Sequence, residues 1–380
     1  MVSVRDFESY TTWRDFRAVA SLHAHTHHSR EVTSDVPSYI FRIPLLAACF
    51  ERELRTLVET QGRAIDFSKG WWHPPVSPRE VFESEAQQVE HRFDLSPLVS
   101  LTDHDSVRAG FEIQAIYAER RAPISFEWTV PFGAGFFHLG VHNLPPRDAE
   151  CWFERLQAYT ARPGSEPLEA LLQDLHGRPE VLVVLNHPAW DLAEIGADEH
   201  PVALRRFLER YARLLHAVEL NGYRSKRENA RVHDIASAWK LPLISGGDRH
   251  ACAPNALLNV TAAESFTEFV AEIRDGRSHV VVMPEYRQHI AARIMASVAD
   301  VLRRYPSYPP GRQYWTDRVT LDCDGTVCPL SFMWPAGGPL WMRSTIRLFE
   351  LLTGPVGLSL IGAALDTMDP KMPGEGAASV

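Results

Sequence analysis

A recurring pattern begins at residue 18. A short apolar run, AVASL (18–22), ends in a polar cluster, and the same arrangement returns at PLVSL (97–101), APISF (122–126) and FFHLGV (136–141). It returns again at VLVVL (181–185), HAVEL (216–220) and PLIS (242–245). Runs this short, several of them bounded by turn formers, predict buried strands. Segments with helical spacing lie between several of them, at 106–121, 149–160, 167–175, 201–215 and 225–240. Strands alternating with helices predict an α/β fold with a parallel sheet, and seven strands in this order suit a barrel closed by βα units.

Two stretches interrupt the pattern. Residues 31–96 read as an insertion between the first two strands, with helices at 43–61 and 78–93. The second opens at Ser77-Pro78, and the aromatic, Gly/Pro-punctuated loop SKGWWHPP lies between them. Trp71 and Trp72 there could stack on a substrate, but anchoring the insertion is the favoured role. After about residue 285 the pattern stops. A helix near 286–304 leads into the Pro-rich YPSYPPGRQY and an appendage without an assigned role. The expected organisation is a barrel domain at 17–285, carrying the insertion, and a small C-terminal appendage at 286–380.

Composition narrows the function classes. Hydrophobic content of 45% and charged content of 23% are ordinary for a globular protein. A net charge of −9 argues against a broad grip on long nucleic acid. Five scattered cysteines suggest reduced thiols and a cytoplasmic setting. The N-terminus, MVSVRDFESYTTW, has no apolar signal core. The apolar run at 351–365 holds Gly and Pro and is shorter than the ~20 residues of a spanning helix, so no membrane span is expected.

The polar clusters at the run ends carry the chemistry. His23 and His25 follow the first run, and Asp103 and His104 the second. Glu127 follows the third, His138 lies in the fourth and His187 follows the fifth. Glu219 and Asn221 end the sixth, and Asp248 and His250 follow the seventh. In an α/β barrel the strand C-terminal ends open on one face, where active sites sit. Residues i and i+2 on a strand point the same way, so His23 can ligate with His25 and Asp248 with His250. Imidazoles mixed with carboxylates suit Mn, Fe or Zn. A central carboxylate such as Glu127 can bridge two ions, which at ~3.5–4 Å apart clamp attacking and leaving oxygens. Each motif alone has a bland reading as a turn or a core histidine. Their joint occurrence in order is the signal.

The succession LHAHTHHS, LTDHDSVRAG, FEWT, FHLG, NHPAW, ELNG and GGDRHA resembles the polymerase and histidinol phosphatase (PHP) superfamily, over roughly residues 17–285 with the insertion set aside. The resemblance implies a distorted seven-stranded barrel holding two or three divalent ions, used mostly for phosphoester hydrolysis. It implies that His23, His25, Glu127 and Asp248 hold one ion, and Glu127, His138 and His187 a second. His104 and His250 contribute to a third, while Asp103 orients a ligand from behind and Glu219 and Asn221 line the pocket.

One position departs from the family. Arg30 stands where many members have a ligating Asp. Glu31, or less favourably His28, completes the third shell; alternatively Arg30 supplies positive charge for a phosphate. His142 is a weaker rival to His138, and Arg249 and Arg224 are further candidates for phosphate binding or for solvated loop positions. LDCDGTVC (321–328) resembles the HAD phosphatase signature, with Asp322 as nucleophile, but the 52 residues that follow are too few for that fold. It reads better as a hairpin turning at Asp324-Gly325, pairing Cys323 with Thr326 and forming no cross-strand disulfide.

The expected function is hydrolysis of a phosphoester by metal-bound hydroxide. The substrate is a small phosphorylated molecule, a nucleotide or a short oligonucleotide. No G-x-S-x-G elbow or P-loop is present. Two alternatives stand: amidohydrolase-like attack on a carbonyl, and a non-catalytic metal-binding scaffold, motivated by Arg30.

Overall fold

The computed structural model describes residues 2–354 and 357, apart from 10–11, 35–40, 42–43, 63, 119–121 and 324–325. The chain begins β1 (Val2–Asp6), β2 (Ala18–Leu22), β3 (Glu31–Val32), α1 (Pro44–Gln61), β4 (Gly70–Trp72) and α2 (Pro78–Phe93). It continues β5 (Ser96–Ser100), α3 (Arg108–Ile116), β6 (Ile124–Phe132), β7 (Gly135–Leu144), α4 (Ala149–Ala161) and α5 (Leu168–His176). Next come β8 (Leu182–Leu185), α6 (Glu199–Tyr211), β9 (Ala217–Asn221), α7 (Lys226–Trp239), β10 (Leu243–Gly246) and β11 (Leu257–Thr261). The last elements are α8 (Phe266–Arg274), β12 (Ser278–Val282), α9 (Ile290–Leu302), β13 (Val319–Cys323), β14 (Thr326–Pro329) and α10 (Leu340–Leu352). Among the described residues no helix is long and apolar enough to cross a membrane.

All seven expected strands are present, as β2 and β5 to β10, but their ladders do not close into a seven-stranded barrel. One five-stranded sheet runs β1-β12-β11-β2-β5 and another runs β10-β9-β8-β7-β6. Nor are all neighbours parallel. β7 runs antiparallel to both β6 and β8. Only Gly133 and Ala134 join β6 to β7, and two residues allow a hairpin but no crossover helix. Gly133 takes φ +64°, which a turn this tight requires. β1, β11 and β12 are additional strands, and β11 lies antiparallel between β2 and β12.

The two sheets meet just beyond their strand ends. Isolated bridges join Ala24 to Arg249 and His104 to Glu127. His25 N donates to Arg249 O at 2.8 Å, and Asp248 N to His23 O at 2.6 Å. The segments that follow β2, β5 and β10 are therefore fixed by backbone bonds, the first to the third and the second to Glu127 within β6. Beneath them, Leu22, Val184, Ala217 and Ile244 pack against Phe269 and Ile273 of α8.

A four-stranded sheet, β14-β13-β4-β3, unites parts of the chain far apart in sequence. β4 sits between β3 and β13, antiparallel to both, with Glu31 opposite Trp72. The β13–β14 pair matches Cys323 with Thr326, and its turn, 324–325, lies outside the described residues. Phe50 and Leu57 of α1 pack with Leu321, Trp334 and Met342 against this sheet, and Trp72 joins that core. The C-terminal segment thus braces the strand that carries Glu31.

α2 starts with a capping box between Ser77 and Glu80 and buries Val81, Phe82, Ala86 and Val89. Glu85 lies on that same face and is fully buried. Its carboxylate accepts from Arg249 Nη1 at 2.5 Å, Ser21 Oγ at 2.7 Å and Asn255 N at 3.2 Å. One acidic side chain therefore ties α2 to β2 and to the loop beyond β10. Removing a single partner of a buried ion pair leaves the other charge uncompensated, at about 3–5 kcal/mol. Glu85→Ala should lower unfolding free energy by about that amount in urea titrations. A loss below about 1 kcal/mol would show that the pin contributes little.

Candidate metal centre

Three candidate ligands leave their strands with positive φ: His23 at 63°, His187 at 28° and Asp248 at 51°. Non-glycine residues held there cost about 1–3 kcal/mol each, and such strain is characteristic of functional sites. Gly246 makes room at the same place. A Cβ on it would stand 1.8 Å from Glu219 Oε1 and 2.8 Å from His23 Cβ. The Gly-Gly step before Asp248 thus lets β10 approach β2 and β9.

Glu127, 1% exposed at the inner face of β6, is the hub. Its Oε2 lies 3.0 Å from His23 Nε2, 3.1 Å from His104 Nε2 and 3.5 Å from His25 Nε2. Its Oε1 lies 3.2 Å from His187 Nε2 and 3.3 Å from His138 Nδ1. Asn186 Nδ2 donates to Oε1 at 2.8 Å. Asp248 Oδ1 lies 3.5 Å from His25 Nε2 and 3.7 Å from His23 Nε2. Glu31 Oε2 lies 3.2 Å from His250 Nε2 and 3.8 Å from His104 Nε2, while Oε1 lies 3.5 Å from His25 Nδ1. All nine predicted ligands, His23, His25, Glu31, His104, Glu127, His138, His187, Asp248 and His250, thus come together.

The ligand atoms fall into overlapping groups. His23, His25 and Glu127 form one, and His23, His187 and Asp248 another. His25, Glu31 and His250 form a third, and His104, Glu127 and His138 a fourth. His104 groups with His138, a pairing the expected ligand sets do not contain. Glu31, rather than Arg30 or His28, faces His250. His28 Nε2 instead meets Glu112 Oε2 at 3.0 Å. Arg30 is exposed, with its guanidinium 5.2 Å from the Trp71 ring centroid. His142 is excluded from the cluster because Ser100 Oγ, 2.8 Å away, holds its Nδ1 elsewhere in the core.

Other residues orient the ligands. Glu219 Oε1 meets His23 Nδ1 at 2.7 Å, and its Oε2 accepts from His187 N at 3.0 Å. It therefore fixes two candidate ligands, where pocket lining was expected. Asn221 Nδ2 lies 3.3 Å from Asp248 Oδ2. Asp103 accepts from Thr26 N at 2.5 Å and Thr26 Oγ1 at 2.8 Å, fixing the turn after His25. Ser29 Oγ donates to Glu31 Oε1 at 2.5 Å and accepts from His104 N at 2.9 Å. Thr26, Ser29 and Asn186 went unrecognised in the sequence, where only their adjacency to ligands marks them. Arg249 is not brought to the cluster. Its guanidinium is buried against Glu85 and the Ala251 carbonyl, on the far side of the chain from Asp248. Arg224 is nearer: Nη2 lies 3.9 Å from Asp248 Oδ2, with the guanidinium over Trp190.

The charges are strongly coupled. Burial pushes the Glu127 carboxyl up, but His23, His138 and His104 outweigh it and hold it well below the usual range. Asp248 is likewise raised by burial and held well below by His23, His25, His250 and His187. Burial, with His250 next, drives His25 down to about 4. Burial pushes Asp103 up to about 7 against the Thr26 hydrogen bonds. Burial lowers His250, but Glu31 and Asp248 prevail and raise it to about 9.

No family model and no curated protein matches the chain. Solved structures do. PsfC from Pseudomonas syringae is 15% identical with a TM-score of 0.37, covering 55% of this chain and 83% of its own. An amidohydrolase from Chromobacterium violaceum, solved with sulfate and without metal, is 16% identical with a TM-score of 0.35, covering 47% of this chain and 83% of its own. A protein provisionally described as a metal-dependent phosphoesterase, from Bifidobacterium adolescentis, is 16% identical with a TM-score of 0.35, covering 53% of this chain and 92% of its own. These likenesses are shallow, and the functional reading rests on the chain's own geometry.

His250 must lose its proton to bind a cation. Manganese affinity should therefore rise with pH up to about 9, and binding should release protons in calorimetry run in buffers of different ionisation enthalpy. In metal-free protein the sign reverses. The raised value stabilises the fold below about 6.5, and that contribution is lost as pH rises through about 9. Affinity independent of pH between 6.5 and 9 would contradict the His250 assignment.

Proposed function

We propose that the chain is a metal-dependent phosphoesterase acting on a small phosphorylated molecule, such as a nucleotide or a short oligonucleotide end. The observation that carries this reading is the division of Glu127 between two sets of imidazoles, one on each carboxylate oxygen. That is the arrangement of a bridging ligand.

The residues fit divalent cations. His25 Nε2 is buried without a hydrogen-bond partner among the described residues, although it points at two carboxylates. The donors are nitrogen and oxygen, a set that suits Mn, Fe or Zn. His23, His25, Glu127 and Asp248 would hold one ion, and Glu127, His104, His138 and His187 a second. His25, Glu31 and His250 supply a third triad. When bound, such ions act as Lewis acids and lower the pKa of water towards neutrality.

The chain's own groups divide the remaining tasks. Glu219 holds the His23 and His187 segments in register. Asp103 is a positioning residue that acts through Thr26. Arg224, beside Asp248, is placed to meet phosphoryl oxygens, and Arg30 adds positive charge from the outer edge. Trp72, with its ring 5.7 Å from that of His250, walls off one side. A phosphoryl group presents several anionic oxygens, which matches several cations plus a guanidinium. A neutral carbonyl needs fewer positive partners, so phosphoester is favoured over carbonyl chemistry.

The test is a panel of aryl phosphoesters, anilides and lactones with added manganese. Phosphoester turnover should stop with chelator. Glu127→Gln should lower kcat/KM by more than ~100-fold, because orienting contacts alone are worth 10–100-fold. Turnover confined to the carbonyl substrates would move the assignment to an amidohydrolase, and chelator-resistant turnover would end the metal reading.

A further inference from the structure

The turn after β2 carries two histidines that the central cluster does not use. His27 and His28 are consecutive, and on a turn adjacent side chains can converge. Their rings are 4.3 Å apart at 70°. Glu112, on α3, completes a triad with them. One nitrogen from each ring and one Glu112 oxygen all lie within 4.8 Å of one another. His28 Nε2 and Glu112 Oε2 are already 3.0 Å apart.

We propose that His27, His28 and Glu112 form a second, separate metal site that takes one zinc-class divalent ion and ties the turn after β2 to α3. Two imidazoles and a carboxylate are a known zinc donor set, with ligand distances of ~2.0–2.2 Å. Ligand atoms around such an ion stand roughly 3.3 Å apart, so the triad needs only side-chain adjustment to close.

A simple ion pair between His28 and Glu112 does not account for His27. The His27 Nδ1 is buried and finds no hydrogen-bond partner among the described residues. Buried polar atoms are nearly always satisfied, and unpaired ones call for an unseen partner. The turn is also held ready. His27 N donates to Val76 O at 2.8 Å, and His28 N to Thr26 Oγ1 at 3.2 Å. Arg312, in the C-terminal segment, is a cation that acts on His27, and Glu80 and Glu112 act on that guanidinium in turn. Glu112 and His28 are partly exposed, with side chains 37% and 21% accessible, so an ion can enter from solvent.

The experiment uses the full-length protein equilibrated with zinc, passed through gel filtration and assayed by elemental analysis. Wild type should retain one zinc more per chain than Glu112→Gln and His28→Asn. Glu127→Gln, which damages the central cluster, should keep this ion, and adding Glu112→Gln to it should remove one further equivalent. Both outer substitutions are at partly exposed positions, and circular dichroism confirms that each variant is folded; if His28→Asn is not, Glu112→Gln decides. Equal zinc in wild type and Glu112→Gln would overturn the proposal. The comparison within the Glu127→Gln background keeps that result distinct from any failure of the central cluster.

Discussion

A carboxylate buried among imidazoles constrains everything around it. Glu127 is 1% exposed and touches five histidines. Taking such a charge out of water costs several kcal/mol unless it is paired. The pairing has to come from β2, β5, β7 and β8 at once, because one strand can present only one or two side chains to that point. The fold is thus obliged to bring four strand ends together before the charge is tolerable. The same neighbours explain the coupling: His23, His138 and His104 hold the Glu127 carboxyl well below its usual range against its burial.

Structure outside the cluster serves that convergence. The backbone bonds joining Ala24 to Arg249 and His104 to Glu127 fix the relative height of the strand ends. Glu85 and Arg249 lock the back of the loop whose front carries Asp248 and His250. The β14-β13-β4-β3 sheet sets Glu31, through its register with Trp72, against His250. Hydrophobic packing supplies the bulk of the folding free energy, while these polar pins decide where the ligands point. Positive φ at His23, His187 and Asp248 is strain that this scaffold holds in place.

Much of this was legible in the sequence. Seven apolar runs became seven strands, because a buried strand needs only a short continuous apolar run. The clustering of the candidate ligands was legible because each falls in or just after an apolar run: His23, His104, His187 and Asp248 follow their strands, and Glu127 and His138 lie within β6 and β7. Sheet connectivity was less legible. The β6–β7 hairpin hides in WTVPFGAG, where alternation continues past Glu127 through a Gly-Ala turn. β11 and β12 lie beyond the last expected strand and pair antiparallel, and no local signal reports strand direction. Arg249 shows the limit for site residues. It lies between Asp248 and His250, yet its side chain turns to the other side of the loop, where it is paired with Glu85. The partnership of β3 and β4 with β13 was invisible because nothing in either segment names the other.

The central claim is that Glu127 bridges cations. Anomalous diffraction from crystals loaded with manganese tests it most directly, with data on both sides of the metal edge. At least two peaks are expected, one beside each Glu127 oxygen, the first bordered by His23, His25 and Asp248 and the second by His138 and His187. Loaded crystals with no peak at Glu127, or with manganese only at the protein surface, would contradict it.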